Sequence, residues 1–573
     1  MNRMRLGALV AAVLLALAGC AEIPRSGPVD RVSPSTNSEP PIGLSAQPPA
    51  EGATPEQIVN GFLLASQAGL DDDFSVAREY LHADAASNWK PLAQVRVYPN
   101  SQNIALNTLD SGAVRATVGA HGSVSSQGIF TEAANDAVST SEFSLAKNAN
   151  GQWRIVSLDD GIFLSENIFS QKFAEIPLYF LSSDSSSLVA DLRYYPKKSF
   201  ATNAINGLIS GPSQWLADGV RGSGTPKWPF HTAIPAGTQL TKTVDVANGE
   251  ASVDLSSQAL SASSSQQALM IAQIRHTLGT SNDVRSVKLT VEGSPPGVDA
   301  VKSLPSYPFG SYPVSVVSNG APATVLKAGE IQNKGRGGGN RHLDSIAASY
   351  QAGQSAFAAT ANNATQLFAF DAEKETWWSV KEGRNLLSPS YDSSGWIWSG
   401  ERENGGSLIV ANPSAGREKT VGVSWLRGAK VRDIAVSRDG SRIVVVSELA
   451  GTPTIQVAAI HRNADSDDEP MQLGDPMTIG QSMVDVTDVA WIGPTKIAVL
   501  GRASAGSDRA LYSVKIGGPS ERLMAPYTGA VAITAGRDEG SIIVLTDKNV
   551  AYSREGGSWR AIASSVTAVA LPG

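Results

Sequence analysis

The 573-residue sequence predicts a multidomain protein in which two α+β domains precede an all-β propeller of about six blades. Three observations give this fold class. The chain is several times longer than the roughly 100–200 residues of an ordinary domain. Helix-like and strand-like periodicities alternate as far as about residue 293. Beyond that point the helical period disappears, and a weak repeat of about 40–55 residues replaces it.

The composition limits the class of protein. Hydrophobic residues make up 42% of the chain and charged residues 17%, which is enough apolar material for packed cores and excludes global disorder. The net charge of −7 argues against a general nucleic-acid binder, which needs a basic surface. The single cysteine, Cys20, excludes an intrachain disulfide and a cysteine-rich zinc site.

Residues 1–19 are predicted to form a bacterial export signal. Arg3 and Arg5 make its start positively charged, and an apolar run extends from residue 6 to residue 17. This run is shorter than the roughly 20 residues that a membrane span requires. We therefore expect a cleaved signal peptide.

The end of this signal surrounds the single cysteine. The sequence Leu17-Ala-Gly-Cys20 resembles a lipobox, the motif in which bacteria lipidate a cysteine and make it the mature N-terminus. The resemblance implies that Cys20 carries an S-diacylglycerol and an N-acyl group such as palmitate. Two or three acyl chains anchor stably, so the expected location is the extracytoplasmic face of the cell membrane. The alternative is an ordinary cleaved signal with an incidental thiol.

Residues 20–52 are predicted to be a proline-rich tether. Seven prolines in this stretch prevent a continuous helix, and most of the remaining residues are small or polar. Proline-rich linkers extend by ~3.1 Å per residue, so the tether can reach on the order of 100 Å at most. We expect it to hold the folded part away from the bilayer.

Residues 53–160 are predicted to form the first α+β domain. Thr54-Pro-Glu56 combines an N-cap with proline at the first helical position. A second helix is expected to reach Leu81, and Trp89 to close the helical part. Strands follow and end in a hairpin. Helices before antiparallel strands, with a final Gly151-Gln-Trp-Arg-Ile155 strand, resemble the cone-shaped fold named after nuclear transport factor 2.

Residues 170–296 are predicted to form the second α+β domain. The opening Ile176-Pro-Leu-Tyr-Phe180, the helix end at Asn206–Ser213, the turn Ile234-Pro-Ala-Gly237 and the strand segment Val253-Asp-Leu255 are its main features. These features resemble the GerMN module of spore-germination and envelope lipoproteins. The resemblance covers the whole of this domain and implies its α+β fold.

Residues 305–573 are predicted to form the propeller. Five similar strand–turn–strand segments recur, starting near residues 346, 387, 431, 486 and 530. The final strand, residues 566–571, is expected to complete a blade with a strand near residues 313–317 and so to close the ring. An array of two-sheet sandwiches is the alternative architecture.

Together, the lipobox, tether, cone-like domain, GerMN-like domain and propeller resemble the actinobacterial LpqB lipoprotein family over essentially the entire chain. This resemblance implies contact with the extracytoplasmic part of a sensor histidine kinase of the MtrB type, in a two-component system that serves cell-envelope homeostasis and division. Because the motifs discussed next each fail a physical requirement, we expect a protein without catalytic residues, resident metal or cofactor.

Candidate catalytic and metal motifs each fail a physical requirement. Ser144 and Lys147 fit the S-x-x-K spacing, but a strand would direct positions i and i+3 to opposite faces. Gly335–Gly339 lacks the Lys-Ser/Thr of a phosphate loop. Residues 465–469 lack the glycine and distal glutamate of a calcium loop. The histidines show no metal-ligand spacing; they are His82, His121, His231, His276, His342 and His461.

Aromatic residues are the remaining candidates for a binding surface. Trp396 and Trp398 would share one strand face, whereas Trp377 and Trp378 would lie on opposite faces, leaving one of that pair exposed. The competing interpretation is that all four pack between blades. Neither alternative is excluded by spacing alone.

Two functions from different classes follow. The first is a non-catalytic, membrane-anchored binding protein that modulates a sensor kinase, without contact to nucleic acid. The second is an envelope protein that binds or cleaves cell-wall glycan. Cleavage would need a pair of inward carboxylates, and Asp433 and Asp488, at matching positions of the repeat, are the nearest candidates. Repeated aspartates at blade turns more often cap loops.

Overall fold

The computed structural model describes residues 46–182, 184–217, 230–301, 304–305, 312–326, 329–333, 341–350, 357–371, 376–463, 468–525 and 529–572. The predicted signal peptide and Cys20 lie outside the described residues, as does nearly all of the predicted tether. No helix in the described part of the chain is long and apolar enough to cross a bilayer.

The first domain opens with a helix whose N-terminus is capped by neighbouring residues. The Thr54 hydroxyl accepts a hydrogen bond from the backbone N–H of Gln57, whose side chain accepts one from the N–H of Thr54, with Pro55 at the first helical position. The domain contains helices α1 Pro55–Ala68, α2 Ser75–Glu79, α3 Ala83–Asn88 and α4 Glu166–Lys172, and strands β1 Gln94–Tyr98, β2 Ala105–Thr108, β3 Val114–Gly119, β4 Gly122–Ser125, β5 Phe130–Glu132, β6 Val138–Lys147, β7 Trp153–Ser157 and β8 Ile162–Ser165.

The strands form two four-stranded sheets, in the orders β5-β4-β1-β8 and β2-β3-β6-β7. Their inner faces and α1 enclose an aromatic core in which Phe62 meets Trp89 and Phe143. Two expectations need correction. Helix α2 ends at Glu79, because Leu81 leaves it to bridge Ile155 of β7. The strands are not all antiparallel, since β1 and β8 run parallel.

The second domain packs three helices on two small sheets, β10-β9-β11 and β12-β13-β14. Gly211, with φ of 90°, ends the long helix α5 in a conformation that favours glycine. The buried Gln273 of α7 donates to the carbonyl of Tyr179 and accepts from the N–H of Ala233, joining helix to sheet. The elements are β9 Phe173–Ser182, β10 Leu188–Pro196, α5 Phe200–Ser210, α6 Gln214–Ala217, β11 Phe230–His231, β12 Asp245–Ala247, β13 Glu250–Leu255, α7 Ser264–Leu278 and β14 Ser286–Val291.

The third domain consists of short strands joined by tight turns. Its strands are β15 Val314–Ser318, β16 Ala321–Val325, β17 Ile331–Asn333, β18 Ala347–Ala348, β19 Phe357–Ala361, β20 Gln366–Asp371, β21 Thr376–Glu382, β22 Ser390–Tyr391, β23 Ile397–Ser399, β24 Ser407–Asn412, β25 Arg417–Gly422, β26 Lys430–Val436, β27 Arg442–Leu449, β28 Thr452–Asn463, β29 Glu469–Leu473, β30 Met477–Ile479, β31 Asp485–Trp491, β32 Lys496–Arg502, β33 Ala510–Lys515, β34 Ser520–Leu523, β35 Ala530–Thr534, β36 Ile543–Thr546, β37 Val550–Glu555, β38 Ser558–Ser564 and β39 Val566–Ala570.

These strands build six sheets within the described residues, and the inner strand of each contacts the inner strands of its neighbours in a closed ring. In sequence order the inner strands are β18, β22, β26, β31, β35 and β39, which belong to blades 2, 3, 4, 5, 6 and 1 respectively. Five sheets have four strands, and the sheet of β26 gains β30 as a fifth. The prediction of a propeller with about six blades is confirmed, and the sandwich array is excluded.

Blade 1 is assembled from both ends of the propeller sequence. Strands β15, β16 and β17 supply its outer part, and β39 pairs antiparallel with β15 as its innermost strand. Val316 lies opposite Val569 in this pair. The expected closure of the ring by the final strand is therefore confirmed.

Candidate functional site

The candidate tryptophans of blade 3 lie in its core. Trp396 and Trp398 are both 0% exposed. The indole N–H of Trp398 donates to Asp392 at 3.0 Å, and the same carboxylate accepts the backbone N–H of Trp396 and an Arg462 guanidinium N–H at 2.6 Å. Both rings therefore pack inside the propeller, as the competing interpretation expected, and neither reaches a binding surface.

Trp377 and Trp378 of β21 do lie on opposite faces of their strand. Trp377 packs in the cluster between blades 1 and 2, where its ring contacts Phe357, Phe368 and Phe370. Trp378 packs against the cluster on the other side, towards blade 3. Each is partly buried rather than exposed, so these rings offer at most an edge to a partner.

Asp433 and Asp488 occupy equivalent positions on the inner strands β26 and β31. Each follows a bulge in its strand, as Ala532 does on β35. The bulge turns the side chain along the ring, so that Asp433 accepts the N–H of Val489 at 2.9 Å and Asp488 accepts the N–H of Ile533 at 2.6 Å. The two carboxylates therefore join each blade to the next.

The two carboxyl groups are also hydrogen-bonded to each other, beside a cavity of about 190 Å³ in the centre of the ring. Burial raises the pKa of Asp433, and burial together with the neighbouring Asp433 raises the pKa of Asp488. We expect such a pair to share a proton, because two adjacent buried charges repel each other. The two aspartates recur in the sequence because they occupy equivalent positions on inner strands. They do not cap the turns of the blades.

This geometry does not suit glycoside hydrolysis. The two carboxyls of a glycosidase stand ~5–9.5 Å apart, with the sugar or a water between them. Here they touch, and each already accepts a backbone N–H from the next blade. The pair is built to fasten blades.

The other motifs singled out from the sequence are dispersed. Ser144 and Lys147 lie on β6, and the Lys147 ammonium stands 5.4 Å from the centre of the Trp153 ring. Gly335–Gly339 and most of the acidic loop at residues 465–469 lie outside the described residues. Across the described ranges, no three His, Cys, Asp or Glu side chains form a metal-binding group.

Charged groups that the sequence analysis did not identify fasten the three domains together. Glu132 of the first domain is 6% exposed and accepts from the hydroxyl of Ser482 at 2.9 Å and from both the N–H and the hydroxyl of Ser520, at 3.1 and 3.0 Å. Asn135 donates to two propeller carbonyls beside it. A buried carboxylate with three donors holds the first domain firmly to the propeller.

The second domain is fastened to both of its neighbours. Its buried Arg193 donates to the carbonyl of Gln127 in the first domain at 2.8 Å and pairs with Asp191 at 2.7 Å. Arg442 of the propeller pairs with Asp439 at 2.9 Å, fully buried, and donates to the carbonyl of Ala190. Every pair of domains is thus joined by buried, charge-assisted hydrogen bonds.

We call the region around Glu132, Glu175, Arg193 and Lys515 the domain junction. Lys515 of the propeller completes it by pairing with Glu175 of the second domain at 2.9 Å. Glu132 and its partner Ser520 lie 388 positions apart in the chain, so no local spacing predicts this contact. In the sequence, the charged residues of the domain junction stand beside apolar neighbours, and this pattern is a weak indication of a buried charge.

Three family models match the chain. The N-terminal domain of lipoprotein LpqB matches residues 48–170, a domain described as sporulation and spore germination (Germane) matches residues 177–297, and the LpqB beta-propeller domain matches residues 328–572. The matches follow one another along the chain in the order of the three folded domains.

Curated relatives match over almost their whole length. Lipoprotein LpqB of Cutibacterium acnes is 28% identical over 613 residues, covering 98% of each chain. Lipoprotein LpqB of Streptomyces avermitilis is 26% identical over 616 residues, covering 100% of this chain and 98% of that protein. The first GerMN domain of the sporulation protein GerM from Bacillus subtilis is 22% identical, with a TM-score of 0.17, covering 23% of this chain and 96% of that structure.

Proposed function

Since the chain belongs to the LpqB lipoprotein family, we propose that it is a non-catalytic binding protein, anchored by lipid on Cys20 to the outer face of the cell membrane, that modulates a sensor kinase. The observation that carries the proposal is the full set of family domains, in order, along nearly the entire chain. Relatives that match over nearly the whole chain are named lipoproteins.

The tether and anchor provide the physical basis for action on a membrane receptor. Lipid confines the protein to a surface, and a tether of residues 20–52 lets the folded domains search a limited height above it. Confinement raises the effective concentration around the extracytoplasmic domain of the kinase. The acidic body is repelled by anionic lipids, which favours a raised position over adhesion to the bilayer.

The domain junction gives the folded part the rigidity that a modulator requires. A binding protein shifts a two-state kinase only by the difference between its affinities for the two states. A flexible chain of domains would lose part of that difference by adapting to both states. Glu132, Arg193 and Arg442 oppose such adaptation, because each buried contact would have to break.

The alternative is that the propeller binds or cleaves cell-wall glycan. The blade-joining role of Asp433 and Asp488 argues against cleavage, and the burial of Trp396 and Trp398 removes two of the four candidate sugar platforms. Glycan binding by another surface is the form of this alternative that the geometry still allows.

The test is reconstitution of the lipidated protein with an MtrB-type sensor kinase in liposomes, with autophosphorylation as the readout. We expect the lipidated protein to change the rate several-fold, and the Cys20→Ala variant to need a much higher concentration for the same effect. The proposal would be overturned if the rate stayed constant while the protein bound purified cell-wall glycan.

A further inference from the structure

A second cavity lies at the domain junction, and all three domains contribute to its wall. Its volume is about 610 Å³, within the range of pockets that hold small organic ligands. The first domain contributes Phe130 and Phe169, the second contributes Tyr194, and the propeller contributes Lys515 and Glu521. Of the candidate residues named from the sequence, His121 lies in its wall.

One wall of the cavity is aromatic. Phe169 lies at the centre of the group, with its ring 6.0 Å from Phe130, 5.0 Å from Phe173 and 5.4 Å from Tyr194. The four side chains are between 1% and 6% exposed, so their positions are fixed by packing. Their exposed parts line one side of the cavity.

Charged side chains occupy the two ends. At one end a Glu166 carboxylate oxygen lies 2.8 Å from Nδ1 of His121. At the other end Lys515 lies between Glu175, at 2.9 Å, and Glu521, at 3.1 Å. With Lys197 the wall holds three glutamates, two lysines and one histidine.

The negative potential reaches the aromatic wall. The pKa of Tyr194 is raised, first by its burial and then by the charges of Glu175 and Glu521. The phenol therefore stays neutral, and its hydroxyl donates a hydrogen bond to Glu175 at 3.5 Å.

We propose that this cavity binds a small organic cation, with an ammonium group on an apolar ring or chain. Aromatic faces attract such cations through their quadrupoles, and Glu166, Glu175 and Glu521 add the matching charge. A bound cation would contact three domains at once and so would strengthen their attachment to one another. This inference does not depend on the kinase partner.

The test compares three probes of equal size and different charge, namely benzylammonium, benzyl alcohol and benzoate, titrated into the full chain in detergent and followed by ligand-observed NMR. We expect benzylammonium to bind at least tenfold more tightly than benzyl alcohol, and benzoate to bind least. Equal affinities for the three probes would overturn the proposal.

Two variants place the binding in this cavity. Ser170 is exposed at its edge on α4, so Ser170→Trp should fill the entrance and weaken benzylammonium binding about tenfold, whereas Ser170→Ala should leave it unchanged. Glu166→Gln should lower the preference for the cation over the alcohol. Thermal unfolding checks that each variant folds. Undiminished cation binding by a folded Ser170→Trp variant would exclude this site.

Discussion

The carboxyl group of Asp433 in blade 4 is hydrogen-bonded to the carboxyl group of Asp488 in blade 5, and each accepts a backbone N–H from the following blade. The ring is thus held at two successive joints by one pair of acids that must keep a proton. This requirement makes the propeller sensitive to pH.

We expect the contribution of this pair to stability to fall as the pH rises above about 4, the ordinary pKa of an aspartate, because the folded-state pKa of Asp488 is raised above its unfolded value. Between these two pKa values the folded protein binds more protons than the unfolded chain, and each rise in pH then favours unfolding. Asp488→Asn keeps a carbonyl oxygen that can accept the N–H of Ile533. Its amide N–H can donate to Asp433, so the contact no longer needs a titratable proton. The substitution should raise stability at pH 7 by about 1 kcal/mol, or a few degrees in unfolding midpoint.

Asp488→Leu is the contrasting variant. It removes the acceptor of the Ile533 N–H and should lower the unfolding midpoint. Thermal unfolding of both variants between pH 4 and pH 8 measures the effect. A midpoint of the asparagine variant that declined with pH as steeply as that of the wild type would contradict the shared-proton interpretation.

Asp485, three residues earlier, should show the opposite pH dependence. Burial opposes its charge, but the hydrogen bond and charge of Arg432, at 2.7 Å, and the charge of Arg509 outweigh burial and lower the pKa of this carboxyl. Its contribution is present above the unfolded pKa and is lost as the pH falls through the folded one. Asp485→Asn should cost about 1 kcal/mol at pH 7, with the deficit vanishing in acid. The exposed Asp508→Asn is the matched control in thermal unfolding.

Glu132→Ala should loosen the first domain from the propeller. The change leaves three partly buried donors of Ser482 and Ser520 without their acceptor, which costs about 2 kcal/mol. We expect faster limited proteolysis between domains and a larger radius of gyration in solution scattering. Glu142→Ala, which breaks an exposed pair with Arg115, should change neither. Identical scattering profiles for the wild type and Glu132→Ala would show that other contacts hold the domains.

Trp398→Phe should destabilise the propeller by about 2–3 kcal/mol, since it removes a buried ring edge and a donor to the buried Asp392. The partly exposed Trp378→Phe should cost less than about 1 kcal/mol. Denaturant unfolding followed by circular dichroism compares them. If the two substitutions cost the same, the indole of Trp398 is not the structural anchor described.

Local sequence patterns predict part of this structure, whereas contacts between distant residues are not predictable from spacing. The recurring strand–turn–strand segments predicted about six blades and the closure of the ring, because each segment is a local pattern that can be recognised in the sequence. The caps of α1, and the Gly211 stop of α5, were equally local. The inward direction of Trp398 depends on Asp392 and Arg462, brought together from separate strands. The hydrogen-bond donors to Glu132 come from Ser482 and Ser520, more than 300 positions away, so no sequence spacing predicts this contact.

Ring closure by β39 sets the order in which the propeller can mature. Strand β15 pairs with β39 across a separation of about 250 residues. A chain that crosses the membrane from its N-terminus would therefore expose the unpaired edge of β15 until the final strand followed. Every blade between them could form while the circle stayed open. The propeller of such a chain could therefore be completed only after β39 had crossed. A chain truncated before β39 would keep the unpaired edge of β15, which can pair with other strands.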